Sequence, residues 1–283
     1  MYKTLPQMIY KKSQDFPELN IQFSKNAEGT FLPVTYKDFV NTMLDFSSGL
    51  LAIGEKEYSN IGLICDNRKE WLVCSMGIMA TKSRDIPRGS EATIKDLSYI
   101  LSFAECKTVV TENKILFNRI LECKEGIPTL QNIIIINPSD VDFNNPATTG
   151  LNIFSYDEIL AKGKDFRQNN PNKIEEIMLS GEEEDSATII FTSGTTGKSK
   201  GVVLSNDNLN AASAQCETCG YDFQRQHSWL NIMPPFIVYG VGNGLHLPLA
   251  MYCQQQPLHY IKHRGRKWNL LHSALYLNCD CRR

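Results

Sequence analysis

Short uncharged runs at residues 61–65, 108–111 and 132–136 recur at helix-sized intervals through the first half of this 283-residue chain. Runs of four or five residues, rich in Ile and Val, fit strands buried on both faces of a sheet. Between and before them, residues 8–16, 36–51, 71–80 and 94–104 space their apolar side chains with the helical period. Thr35 and Thr93 stand where an N-cap would satisfy the first free backbone N–H groups. Strands alternating with helices predict an α/β fold built on a parallel, doubly wound sheet. Residues 160–185 are polar and charged, with Gly and Pro punctuation, and are expected to run over the surface. Ser205 or Asn206 is placed to cap a helix running from Asp207 toward Cys216.

The densest chemistry lies at residues 192–201, Thr-Ser-Gly-Thr-Thr-Gly-Lys-Ser-Lys-Gly, between two apolar runs that read as strands. Five hydroxyls, three glycines and two lysines fall within ten residues. Glycine lets a backbone approach a ligand closely and turn successive N–H groups toward an anion. The hydroxyls add donors and the lysines add positive charge, a combination suited to gripping a polyphosphate. A Walker-type loop is excluded. Its first glycine would fall on Thr192, and a strand rather than a helix follows Gly197-Lys198-Ser199. A plain hairpin turn is shorter, about two to five residues, and needs no such density of donors.

At these residues the chain resembles the AMP-forming acyl-CoA synthetases, the adenylate-forming family that includes fatty acid–CoA ligases. The family usually has Pro where Ser199 stands. The resemblance extends from about residue 5 to about residue 250, through the Asn67-Arg68-Lys69-Glu70-Trp71 helix start and the Pro87-Arg88-Gly89-Ser90 segment, which is similar to one of the long-chain branch. It implies the parallel-sheet subdomains of an incomplete AMP-binding N-terminal domain, with the small C-terminal domain absent. The reaction implied is ATP-dependent activation of a carboxylic acid, a long-chain fatty acid foremost, through acyl-AMP to acyl-CoA. Thr192, Ser193, Gly194, Thr195, Thr196, Gly197, Lys198 and Lys200 would then hold the phosphates of ATP. Phe236, Tyr239 and Gly240 would line the acyl pocket, with Ile237 where the family often has His. The segments that stack adenine, bind ribose, anchor Mg²⁺ through a Glu and supply the adenylation lysine have no match. ATP, Mg²⁺ and CoA are the implied cofactors and co-substrate, yet little activity is expected of this chain alone. The alternatives are a non-catalytic nucleotide-binding remnant, or half of a split ligase that needs a complementing C-terminal polypeptide.

Residues 254–283 differ in kind from residues 1–253. Six Lys or Arg face one acid there, a local +5 within a total of -2, so residues 1–253 carry -7. This basic segment matches nothing the family would supply and is expected to be non-family sequence, for example from a shifted reading frame. The near-neutral whole suggests no nucleic-acid partner. Residues 226–261 lack Asp, Glu, Lys and Arg, but Pro234-Pro235, three glycines and several polar residues interrupt them. A spanning helix needs roughly 20 mostly apolar residues, so no stable membrane span is expected. Cys216 and Cys219 form half a zinc pattern with no second half, and His259, His263, Cys279 and Cys281 sit in the basic segment. No metal site is expected. Residues 1–10 lack the apolar core of a signal peptide, and cysteines without a regular framework suit reduced thiols. The expected location is the cytoplasm, with peripheral contact at a membrane.

Overall fold

The computed structural model describes residues 2–26, 28–143, 145–192, 198–211, 228–231, 233–242, 249 and 275–278. The chain opens with α1 (Leu5–Asp15), a β1–β2 hairpin (Asn20–Lys25, Phe31–Thr35) and α2 (Tyr36–Ala52). Alternating units follow: β3 (Asn60–Ile64), α3 (Lys69–Ala80), β4 (Arg84–Arg88), α4 (Ile94–Phe103), β5 (Thr108–Thr111), α5 (Lys114–Cys123) and β6 (Asn132–Ile135). Next come β7 (Asn152–Ser155), α6 (Tyr156–Asn169), α7 (Lys173–Leu179), β8 (Ser186–Thr192) and β9 (Lys200–Ser205). Seven strands form one sheet in the order β7-β6-β5-β3-β4-β8-β9, parallel except for the β8–β9 hairpin at its edge.

Strand parity decides which side chain enters which core. Val110 and Ile134 point into a cluster with α1, α2, α3 and α6, while Val109, Ile133 and Ile135 point into one with α4 and α5. Both faces are covered by helices, which is why the strands read as uninterrupted apolar runs. Gly62 keeps β3 close to α4, since a Cβ there would lie 2.7 Å from Leu101. Pro87 sits inside β4, an unusual place for a residue without an N–H. The N–H of Arg84 donates to Ser59 and the carbonyl of Arg88 accepts from Cys65, so alternate residues of β4 serve β3. Pro87 therefore turns toward β8, where the recorded register is the single pair Asp85↔Thr188.

The expected caps are present: Thr35 accepts from Asp38 N, and Thr93 forms a capping box with Asp96. Ser205 Oγ accepts from Asn208 N, which makes it the cap of the helical residues 206–211. The continuation toward Cys216 lies outside the described residues.

One expectation is corrected. Residues 160–185 are not a plain surface excursion, because α6 and α7 occupy most of them. α6 is opened by a Ser155–Glu158 capping box and buries the narrow stripe Tyr156, Ile159 and Gly163 against α2. The polar majority of α6 faces outward and masks that stripe in the sequence. Beside the expected parallel sheet stands a smaller one, antiparallel throughout, in the order β10-β11-β1-β2, with β10 (Ser228–Asn231) and β11 (Leu275–Asn278). Its strands come from distant parts of the chain, so no local periodicity announces it.

Candidate functional site

The carboxyl edge of the seven-stranded sheet gathers every sequence-predicted site residue that the structure describes. β3 has β4 on one side and β5 on the other, with α3 packed in one core cluster and α4 in the other. The connections that follow the neighbouring strands β3 and β4 thus lie on opposite faces of the sheet, and the crevice beyond such a switch point is where open α/β sheets bind ligands. Asp66 and Asn67 follow β3, Gly89 and Ser90 follow β4, and Glu112 follows β5.

These loops are tied to one another. The Asp66 carboxylate accepts from Ser90 N at 2.8 Å and from Ser90 Oγ at 2.5 Å. Asp66 N donates to Glu112 Oε2 at 2.9 Å, and Arg119 donates to the Ser90 carbonyl at 2.6 Å. Arg68 bonds Glu70 at 2.7 Å and lies 3.8 Å from Glu112. The carboxylates of this edge are thereby occupied in holding the crevice together. Sequence reasoning did not single out this network; Asp66 and Glu112, each just past a buried strand, were its legible signal.

Beside the crevice, β8 and β9 are in register with Thr192 opposite Lys200, so the loop between them springs from one paired position. Thr192, Lys198 and Lys200 are exposed. Among the described residues neither lysine has an ion-pair partner, which leaves two positive charges facing solvent at the loop mouth. The other predicted phosphate ligands, Ser193, Gly194, Thr195, Thr196 and Gly197, lie outside the described residues.

The segment 231–240 crosses the same edge. Asn67 Nδ2 donates to the Asn231 carbonyl at 3.2 Å, and Met233 N donates to Asn231 Oδ1 at 3.1 Å. Phe236 is buried with its ring against Gly89, where a Cβ would stand 2.2 Å from the ring. The glycine of the Pro-Arg-Gly segment is therefore a seat for Phe236. Gly240 is equally constrained, since a Cβ would lie 1.8 Å from the Pro234 carbonyl. Tyr239 departs from the other two and is 59% exposed. Asn67 Oδ1, Asn231 Nδ2 and Arg88 Nε are buried without a hydrogen-bond partner among the described residues. Such atoms carry a desolvation cost that a ligand or a water offsets.

The fit to a resident metal is poor. No group of three His, Cys, Asp or Glu is gathered among the described residues, and Asp66 and Glu112 are already engaged. Cys216, Cys219, His259, His263, Cys279 and Cys281 lie outside those residues. The described cysteines, Cys65, Cys74, Cys106 and Cys123, are free and buried. Burial pushes the Cys106 thiol up to about 12 and Cys123 up to about 11, which removes both as nucleophiles at neutral pH. No helix among the described residues is long and apolar enough to cross a membrane.

Comparison with known proteins gives a consistent result. The family model described as AMP-binding enzyme matches residues 21–255. The long-chain-fatty-acid–acyl-carrier-protein ligase AEE15, chloroplastic, of Arabidopsis thaliana is 34% identical over 185 residues, covering 63% of this chain and 25% of that protein. The long chain acyl-CoA synthetase 7, peroxisomal, of the same plant is 28% identical over 224 residues, covering 78% of this chain and 30% of its own length. The chain thus spans about a quarter of the curated relatives it matches. Among solved structures, ATP-bound MatB from Rhodopseudomonas palustris superposes with a TM-score of 0.68 at 20% identity, over 91% of this chain and 45% of that one. The anthranilate CoA ligase AuaEII in complex with anthranoyl-AMP gives 0.68 at 14% identity, over 90% and 44%. At these identities the two structures establish the shared fold.

Proposed function

The chain belongs to the AMP-binding enzyme family, and from that membership we propose that its β8–β9 loop holds the polyphosphate of ATP while a carboxylic acid is activated. A carboxylate is a poor electrophile, because its charge is delocalised and its oxygen leaves badly. In the proposed step a carboxylate oxygen attacks the α-phosphorus, the bond to the bridging oxygen breaks, and pyrophosphate departs to leave acyl-AMP. A thiolate then attacks the acyl carbon and displaces AMP, forming a thioester. Charge develops on the departing pyrophosphate, so electrostatic stabilisation there is the main demand on the protein.

Thr192, Ser193, Thr195 and Thr196 would offer hydroxyls, Gly194 and Gly197 backbone N–H groups, and Lys200 and Lys198 charge. The observation that carries this reading is the pair of exposed lysines that have no ion-pair partner among the described residues, set where Thr192 pairs with Lys200 at the base of the loop. Mg²⁺ would arrive as its ATP complex, since the described residues provide no carboxylate seat for it. Phe236 and Gly240 would form the described part of the acyl pocket, with Tyr239 at its outer rim. The names of the relatives favour a long-chain fatty acid as substrate, and CoA or an acyl-carrier protein as the thiol. In this reading residues 1–253 make the AMP-binding part, and residues 254–283 are a separate segment that lends β11 to the smaller sheet. The cytoplasm, with peripheral membrane contact, is the compartment it suits.

Calorimetric titration with Mg-ATP tests the reading. The chain should bind, and Lys200→Ala should weaken binding by about tenfold or more, the loss of a charge-assisted contact. A chain with no affinity for Mg-ATP would defeat it. A second reading is nucleotide binding without complete chemistry. Pyrophosphate exchange that appears only when a complementing polypeptide is added would support this second reading; robust exchange by the chain alone would reject it.

A further inference from the structure

The loop between β8 and β9 has two limbs, and one side chain of a different element touches both. Tyr99, in the second turn of α4, donates its hydroxyl to the Ser199 carbonyl at 3.1 Å on the returning limb. Its ring meets Phe191, on the outgoing limb, edge to face with centroids 6.4 Å apart. Phe103 packs against both rings, at 5.7 Å from Tyr99 and 6.0 Å from Phe191. Phe191 in turn lies against Gly201, where a Cβ would stand 3.2 Å from the ring. The base of the loop is thus clasped between α4 and the hairpin.

From this juxtaposition we propose that Tyr99 is a positioning residue for the two limbs that carry the phosphate loop: its ring fixes the outgoing limb at Phe191 and its hydroxyl fixes the returning one at Ser199. The inference rests on the nucleotide reading of that loop. Its physical basis is preorganisation. Ordering one backbone residue costs about 1–2 kcal/mol, so limbs that are already restrained leave less ordering to be done when an anion binds. Ser199 does not restrain its own φ as a proline would, which leaves the carbonyl free to rotate unless it is bonded. The Tyr99 hydroxyl supplies that bond. It touches no substrate atom and acts only through the loop.

The test is Tyr99→Phe, which keeps the ring contacts and removes only the hydroxyl. Wild type, Tyr99→Phe and Lys200→Ala are titrated with Mg-ATP and with inorganic tripolyphosphate. Tyr99→Phe should weaken both ligands by the same factor, about three- to tenfold, the range of one hydrogen bond. Hydrogen exchange in the ligand-free protein should speed up at residues 198–201 and stay unchanged in β3 and β5. Unchanged affinity in Tyr99→Phe, with binding weakened about tenfold or more in Lys200→Ala, overturns the positioning role and leaves the nucleotide reading standing. Faster exchange throughout α4 and the sheet with a lowered Tm also overturns it, since the hydroxyl would then serve general stability. Absence of binding by wild type removes the nucleotide reading and this inference with it.

Discussion

Asp85 stands inside the parallel sheet with 1% of its surface exposed. Its Oδ2 accepts from Ser75 Oγ at 2.6 Å, while Oδ1 is buried without a hydrogen-bond partner among the described residues. Burial raises its pKa from 3.8 to about 6, against the lowering effect of the Ser75 and Thr188 hydroxyls. The folded protein therefore holds this proton more tightly than the unfolded chain does. Stability from this group is full below about pH 4, falls as the pH rises to about 6 and is flat above that. A shift of this size corresponds to about 3 kcal/mol. Asp85→Asn should flatten the urea midpoint between about pH 4 and 6 and stabilise the protein at about pH 8. A variant whose profile parallels wild type would show that Asp85 is not the group responsible. The lysines at the loop mouth are a contrasting case at the same scale: Lys198 and Lys200 are exposed, and their worth lies in the charge they offer a ligand.

Among the described elements, α6 packs on α2 at close backbone range. A Cβ on Gly163 would lie 1.7 Å from the Asp45 carbonyl oxygen, and one on Gly49 would lie 2.3 Å from the Ile159 carbonyl. Arg167 closes the contact with a 2.7 Å bond to Asp45, which has Glu175 at 3.5 Å from the same guanidinium. Gly163→Ala gains about 1 kcal/mol of helix propensity but forces backbone apart, so a net loss of about 1–3 kcal/mol is expected. Chemical denaturation measures it, and a stabilised variant would mean that the helices can separate at no cost. Gly89 is the parallel case at the site. Gly89→Ala should displace Phe236 from its seat, which a fall in acyl-ligand affinity with ATP affinity intact would report.

For the molecule as a whole, ligand binding and folding are linked. At a free Mg-ATP concentration about 100 times Kd, the folded state should gain about 2.7 kcal/mol, read as a rise in Tm that Lys200→Ala, binding about tenfold more weakly, cuts to about half at the same concentration. A rise of equal size in both proteins would place the nucleotide elsewhere. The order of residues determined much of what the linkage depends on. The buried strands of the parallel sheet, the Thr35 and Thr93 caps and the hairpin carrying Thr192 and Lys200 all follow from local patterns. Those patterns suffice because apolar runs, caps and turn residues act over a few neighbours. Tertiary structure alone decided the rest: the antiparallel sheet that joins β1 to β10 and β11, the hidden stripe of α6, the seat of Phe236 on Gly89 and the reach of Tyr99 to Ser199. Each of these joins residues far apart in the chain through a contact only a few ångströms long, and neither period nor spacing encodes which distant surfaces will meet.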